Sequence, residues 1–355
     1  MVESVYVHIP FCKQKCLYCD FNSFKGKENL IDSYMEALYK ECARFSFDRL
    51  KTIYIGGGTP SFIDSKYIVR LLTILPKAEE VTIEMNPCTV IREKLEDYKT
   101  AGVTRISMGL QTTNDSILKE IGRVHTLEDF EKAYMLIKDV GFENINADLM
   151  FGLPNQTLED VKNSLDYLIE KNPTHISCYS LILHNDIFKN LPSDEIEREM
   201  YYLTKSKLKE AGYEQYEISN FAKDGYESKH NMACWNQEEY IGLGAGASSY
   251  VDNMRYTNER SIEKYIEKIN VKEDIRDIEE VQDEDAKVRE YMILKLRTLR
   301  GIDVNFANEK FDLENRFKRE LKKLINQDLL KIENGYLRLT EKGLDFANIV
   351  WEEFI

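Results

Sequence analysis

Over roughly the first 210 residues, short apolar runs alternate with helically spaced segments, and this alternation constrains the fold more than any other feature. The apolar runs occupy Val5–Ile9, Thr52–Ile55, Val81–Met85, Arg105–Leu110, Ile145–Met150 and Ile176–Leu183. Between and after them, Leu30–Phe45, Lys66–Leu75, Ile91–Lys99, Thr126–Val140, Leu158–Ile169 and Asp194–Ala211 carry helical spacing. Strands alternating with helices of this length predict βαβ units, hence an α/β fold with a parallel sheet. Six units are too many for a small open sheet and too few for a closed eight-fold barrel, so a partial, open (β/α)6 TIM-type barrel is expected. Chemistry in such barrels gathers at the C-terminal ends of the strands. Cys12, Gly56–Thr59, Glu84, Gln111 and Asp148 all fall at or just after those ends.

The rest of the chain divides by composition. Residues 1–212 form the expected barrel core. Residues 213–271 are irregular, with Gly242, Gly244 and Gly246 in a short apolar stretch, and suggest a strand-plus-loop segment covering the barrel mouth. Residues 272–285 hold eight acids against two bases and read as a solvated linker or an exposed helix end. Residues 286–355 read as helix, helix and hairpin, with Asn334-Gly335 as the turn, which suggests a small winged-helix-like domain. Its 14 bases against 12 acids make no basic stripe, so packing or partner contact is expected there rather than DNA binding.

A chain of 355 residues with 43% hydrophobic content can bury a sizeable core. Its net charge of −14 argues against a nucleic-acid binder. There is no run of about twenty apolar residues, so no transmembrane segment is expected. Met1-Val-Glu-Ser4 leads directly into a strand with no signal-peptide pattern. The cysteines number seven, and Cys42, Cys88, Cys178 and Cys234 are scattered. That usage suits a reducing cytoplasm better than a disulfide framework.

The chemistry concentrates in Cys12-x-x-x-Cys16-x-x-Cys19, directly after the first strand. Three thiols this close can converge on one face of an iron–sulfur cube, leaving one iron open for chemistry. The intervening Lys13 and Lys15 are not core residues. Gly56-Gly57-Gly58-Thr59-Pro60 follows the second strand and lets backbone groups approach a bound molecule closely. It lacks the Lys-Ser/Thr of a P-loop and the spacing of a dinucleotide fingerprint. A glycine run alone marks only a tight turn, but beside the cysteines it is a candidate cradle for a small zwitterion. Glu84 either binds an ammonium or ribose hydroxyls or is an exposed strand-end acid. Gln111 and Asp148 sit at equivalent strand ends, and Arg123 is placed to pair with a carboxylate.

Tyr6-Val-His-Ile-Pro-Phe-Cys12 through Cys19, Gly56–Pro60, Glu84-Met-Asn-Pro87, Gly109-Leu-Gln111, Gly122-Arg123 and Asp148-Leu-Met-Phe-Gly-Leu-Pro154 together resemble the radical S-adenosylmethionine (SAM) proteins. More narrowly, they resemble the branch holding anaerobic coproporphyrinogen III dehydrogenase and the heme chaperones. The resemblance implies a [4Fe-4S] cluster on Cys12, Cys16 and Cys19, with SAM chelating the open iron. It implies a cofactor site lined by Tyr6, Tyr18, Gly57, Gly58, Thr59, Glu84, Gln111, Arg123 and Asp148. It also implies an electron donor such as a flavodoxin or ferredoxin, and allows a homodimer.

Three features favour the heme-chaperone side, with heme as cargo and hemoproteins as acceptors. Phe21 stands where the dehydrogenase pattern has a further cysteine. The first strand begins at Val5, leaving no room for the dehydrogenase's N-terminal extension. His230-Asn231-Met-Ala-Cys234-Trp235 resembles the chaperones' His-Asn-x-x-Tyr-Trp heme motif, with Cys234 in place of Tyr. By that resemblance, His230, Asn231 and Trp235 contact heme. Imidazole is a normal heme ligand and indole offers an apolar face, although His230 beside Lys229 also reads as a surface or turn histidine. The alternative function is oxygen-independent coproporphyrinogen III dehydrogenase. His8 reads as a hydrogen-bonding neighbour of the cluster, while His125, His175 and His184 lack comparable context.

Overall fold

The computed structural model describes residues 2–183 and 187–355; His184 lies outside the described residues. The six expected βα units are present. Strands β1 (Ser4–Ile9), β2 (Leu50–Gly57), β3 (Ala78–Met85), β4 (Arg105–Gln111), β5 (Asn144–Phe151) and β6 (His175–Ser180) pair in parallel, each beside its sequence neighbour. β6 stops at Ser180 rather than running on to Leu183. Helices α1 (Ile31–Cys42), α2 (Ser65–Ile74), α3 (Arg92–Ala101), the short α4 (Asp115–Glu120), α5 (Leu127–Asp139), α6 (Leu158–Lys171) and α7 (Asp194–Glu210) connect them. α5 shows why these segments are helices. Phe130, Ala133, Tyr134 and Ile137 form one buried stripe, and Thr126 with Asp129 closes a capping box at its start.

Side chains alternate along each strand. Val5, Val7 and Ile9, Ile53 and Ile55, Val81 and Ile83, Ile106 and Met108, and Ile145 and Ala147 belong to the core shared with the helices. The alternate positions are largely polar and turn to the barrel interior, bringing Glu84, Ser107, Asn146 and His175 level with one another.

The segment expected to cover the mouth instead extends the sheet at both edges. β7 (Glu214–Glu217) and β8 (Asn220–Ala222) pair antiparallel beside β6. The chain then passes through helix α8 (Lys229–Trp235) to β9 (Tyr240–Leu243), which lies parallel to β1. β10 (Ser248–Val251) and β11 (Met254–Asn258) follow, ahead of α9 (Ile262–Val271). The physical reason is that β1 and β6 would otherwise be open edges with unpaired backbone groups. The stretch read as an acidic linker holds a further strand, β12 (Arg276–Val281), paired with β11. All six of its residues are exposed, so its charges reflect a solvated sheet edge.

The C-terminal module begins with α10 (Glu284–Lys295). It continues through β13 (Ile302–Asp303), α11 (Val304–Phe311), α12 (Leu313–Arg316) and α13 (Lys318–Asn326) to the hairpin β14 (Leu330–Glu333) and β15 (Tyr336–Leu339). Asn334 and Gly335 both take positive φ in the turn, as expected for Asn-Gly. α14 (Glu341–Asp345) and α15 (Ala347–Glu352) close the chain. Helices and a three-stranded sheet surround a separate core that includes Met292, Leu324 and Phe354.

Candidate functional site

The segment from Cys12 to Phe24 is pinned at both ends. Cys12 N–H donates to the Phe24 carbonyl (2.9 Å), and Phe24 N–H donates to that of Pro10 (2.8 Å). Leu17 N–H donates to the Ile121 carbonyl, tying the loop across to α4 (3.1 Å). Each thiol has a polar neighbour: Thr59 Oγ1 3.6 Å from Cys12, Arg123 Nη1 3.6 Å from Cys16 and Ser23 Oγ 3.7 Å from Cys19. Burial raises the Cys12 pKa, and the Thr59 and Ser23 hydroxyls oppose that rise. Such donors favour thiolate, the form that binds iron.

The glycine run lies directly beneath the thiols. At Gly58, a Cβ would stand 2.8 Å from the Phe11 carbonyl oxygen and 3.0 Å from Cys12 Sγ. Gly57 has φ +109°, and a Cβ there would sit 2.6 Å from the His8 ring. Glycine is therefore a packing requirement at both positions. His8 Nδ1 lies 3.0 Å from Tyr6 Oη, and His8 Nε2 donates to the Asn22 carbonyl (2.9 Å). It thus braces the cysteine loop, as the sequence suggested.

Glu84 is no exposed strand-end acid. It accepts hydrogen bonds from Tyr54 Oη (2.8 Å) and Gly57 N–H (3.2 Å), and burial lifts its pKa to about 7. Asp148 is also raised by burial and accepts from Asn146 Nδ2 (2.7 Å). Arg123 donates from Nη2 to the Gly109 carbonyl (3.3 Å) and from Nε to His125 Nδ1 (3.3 Å). Gln111 follows a register shift in β4 and holds φ +64°, a strained value for a residue with a side chain. Its Oε1 is buried with no hydrogen-bond partner.

These residues enclose one cavity of about 310 Å³. Cys12, Cys16, Cys19, Tyr18, Gly57, Gly58, Thr59, Glu84, Gln111, Arg123 and Asp148 all line it. Tyr6 does not line it; its ring lies behind, stacked 6.1 Å from that of Tyr54. Among the described residues, no three His, Cys, Asp or Glu side chains close around a single metal ion. A cube places its thiolates on separate irons, so three thiols facing one cavity without converging on a point suit it. The glycine floor and the unpaired Gln111 oxygen likewise suit a bound molecule carrying hydrogen-bond donors.

The expected heme residues share no open face. Asn231 lines the cavity. His230 is buried on α8, its Nδ1 2.8 Å from Thr52 Oγ1 and its ring 5.2 Å from that of Tyr54. Trp235 is covered by the Arg297 guanidinium, 4.7 Å from its ring. Burial pushes the Cys234 thiol up to about 11.

Sequence reasoning missed the lower half of the cavity. Arg105, Ser107, Asn146, Ser177, Tyr54 and Tyr179 line it with the expected residues. The signal was available, since Arg105, Ser107, Gly109 and Gln111 occupy every second position of β4, as Tyr54 and Gly56 do in β2. His175, set aside from the sequence, donates from Nδ1 to Asn146 Oδ1 (2.6 Å) and accepts at Nε2 from Tyr216 Oη (2.9 Å). Tyr216 Oη in turn accepts from the backbone N–H of Ser228, the N-cap of α8 (3.3 Å). Asp148 is thereby connected to α8.

Residues 6–168 match the radical SAM superfamily, and residues 282–346 match the HemN C-terminal domain. The heme chaperone HemW of Lactococcus lactis is 38% identical, covering 99% of this chain and 97% of its own. Those of Bacillus subtilis (38%, covering 100% and 99%) and Escherichia coli (35%, covering 99% and 98%) are similar over their full length. The solved structure of coproporphyrinogen III oxidase (HemN) from Escherichia coli superposes with a TM-score of 0.87 at 22% identity, covering 99% of this chain and 89% of that one, and shares the fold. Radical SAM proteins use a [4Fe-4S] cluster and SAM, and the residues present fit both. With an intact three-cysteine motif and full-length relatives of one kind, the chain belongs to the radical SAM superfamily and, within it, to the family of the heme chaperone HemW.

Proposed function

We propose that this protein binds heme and hands it to hemoproteins, using the cluster-bearing barrel as its scaffold. The observation that carries this reading is likeness to proteins named as heme chaperones over practically the whole chain, C-terminal module included. Phe21 in place of a further cysteine supports the same side. Held by Cys12, Cys16 and Cys19, a [4Fe-4S] cluster would supply one-electron reducing power beside SAM. The protein's part is to hold three thiolates, to bind the cofactor's polar groups through the Gly56–Gly58 backbone, Glu84, Gln111, Arg123 and Asp148, and to limit water. His230, Asn231 and Trp235 are proposed heme contacts; Asn231 already lines the cavity, and His230 and the face of Trp235 under Arg297 become available once α8 leaves Thr52 and Arg297.

We further propose a reducing cytoplasm, an electron donor of the flavodoxin or ferredoxin kind, and a homodimer. Free cysteines throughout the described residues support the first. Among the described residues no helix is long and apolar enough to cross a membrane.

The test is a heme titration of anaerobically reconstituted protein, wild type and His230→Ala, followed in the Soret region. Stoichiometric uptake by wild type is expected, with weaker binding in the variant. In parallel, the protein is incubated with SAM, a reductant and coproporphyrinogen III. Sustained formation of protoporphyrinogen IX would replace the chaperone reading with the dehydrogenase one.

A further inference from the structure

The surface around the cavity mouth is apolar where solvent-facing positions are usually polar. Leu17 is 51% exposed, Phe21 63% and Ile182 69%. Phe21 lines the mouth itself. Leu17 lies against Gly122, whose Cβ, if present, would be 3.1 Å from its Cγ. Beneath them runs a small separate core of Ile117, Ile121, Met150 and Leu153, against which Tyr18 and Leu181 pack. That core joins the cysteine loop to the stretch after β6, so exposed Leu17 and Ile182 each adjoin a residue, Tyr18 and Leu181, that packs on it. Exposed apolar surface gathered at the entrance of a site marks a place where something binds.

The charge of the cysteine loop runs against that of the whole molecule. Residues 12–27 hold four lysines and one aspartate, in a chain whose net charge is −14. Lys27 is spent on an ion pair with Glu263, whereas Lys15 Nζ donates to the Phe21 carbonyl and so stands beside the apolar rim (3.0 Å). Lys13 is exposed on the same loop. The cavity of about 310 Å³ is the proposed place of the cluster and SAM, so the macrocycle is placed outside it. It can lie across the mouth.

We propose that this rim is a docking surface for the porphyrin, with the flat apolar ring on Leu17, Phe21 and Ile182 and its two carboxylates toward Lys13 and Lys15. The proposal rests on the heme reading above and adds to it a place of binding distinct from His230. It gives heme a place to dock while His230 is buried and one face of Trp235 lies under Arg297.

The test is heme titration of the anaerobically reconstituted full chain in Phe21→Asp, Ile182→Asp and the double variant Lys13→Glu/Lys15→Glu. Iron content and the spectral response to SAM are measured on the same samples. Each aspartate is expected to weaken heme binding about tenfold or more, because it places a charge under an apolar ring and beside carboxylates. The lysine variant is expected to weaken binding by a factor that shrinks with added salt. Ile182 is far in sequence from the cysteines, so it decides the matter should Phe21→Asp load poorly. Wild-type heme affinity in a fully loaded Ile182→Asp and in the lysine variant overturns the proposal while leaving heme binding intact. Failure of wild type itself to take up heme overturns the chaperone reading.

Discussion

His230 Nδ1 stands 2.8 Å from the hydroxyl oxygen of Thr52, and this contact fastens helix α8 to the inside of the barrel. Glu80 reinforces it by accepting the backbone N–H groups of Lys229 and His230, each at 3.2 Å. The motif expected to meet heme is therefore part of the barrel's buried polar interior. Any role for His230 as an iron ligand requires these bonds to open.

The pH dependence of stability reports that burial. Burial, and after it the Arg105 charge, pushes the His230 pKa down to about 4. The unfolded chain, with an ordinary histidine near 6.5, takes up the proton first. Its contribution to stability is complete above pH 6.5 and is lost as pH falls toward 4. The difference in urea-unfolding free energy between wild type and His230→Gln should shrink by about 1–3 kcal/mol between pH 7 and pH 4.5. A difference independent of pH would mean that His230 is solvated.

Glu84 behaves in the opposite sense. Its folded pKa of about 7 lies above the unfolded value, so its contribution is present below pH 4.5 and is lost as pH rises through 7. Glu84→Gln should therefore gain about 1–3 kcal/mol on wild type between pH 5 and pH 8. The same variant should lose the change that SAM produces in the cluster's spectrum.

Arg123 touches the Cys16 thiol, the Gly109 carbonyl and His125 with three different nitrogens. Lysine keeps the charge but cannot span three directions at once. Arg123→Lys should retain its iron and bind SAM at least about tenfold more weakly, the scale of a lost charged hydrogen bond. Equilibrium titration followed by electron paramagnetic resonance measures this, and unchanged affinity would remove Arg123 from the cofactor site.

Gly58→Ala should hinder assembly of the cluster. The added methyl would press on the Phe11 carbonyl and Cys12 Sγ, and overpacking of this kind costs about 1–3 kcal/mol. Iron and sulfide analysis after reconstitution should show a clear deficit. Cys88→Ser, at an exposed thiol outside the motif, should load like wild type.

The strands and helices of the barrel were legible because their signals are local. Three cysteines within one loop, Gly57 and Gly58 beneath them, and acids at strand ends carry their spacing on the chain itself. The polar floor was legible in principle, since Arg105 and Ser107 alternate with Ile106 and Met108. It went unread because a strand apolar on one face and polar on the other usually has water on its polar side, whereas here the polar side lines a buried cavity.

By itself, the sequence determined the succession of βα units, the trio of thiols and the glycine cradle, because helix period, strand period and steric need at glycine act over a few residues. Only the tertiary structure decided that β9 pairs with β1, that the acidic stretch holds an edge strand, and that His230 is buried while Arg297 lies over one face of Trp235. Those outcomes depend on which distant backbone edges and side chains meet. Nothing in the local pattern of α8 says whether Thr52, a porphyrin or water will satisfy its histidine.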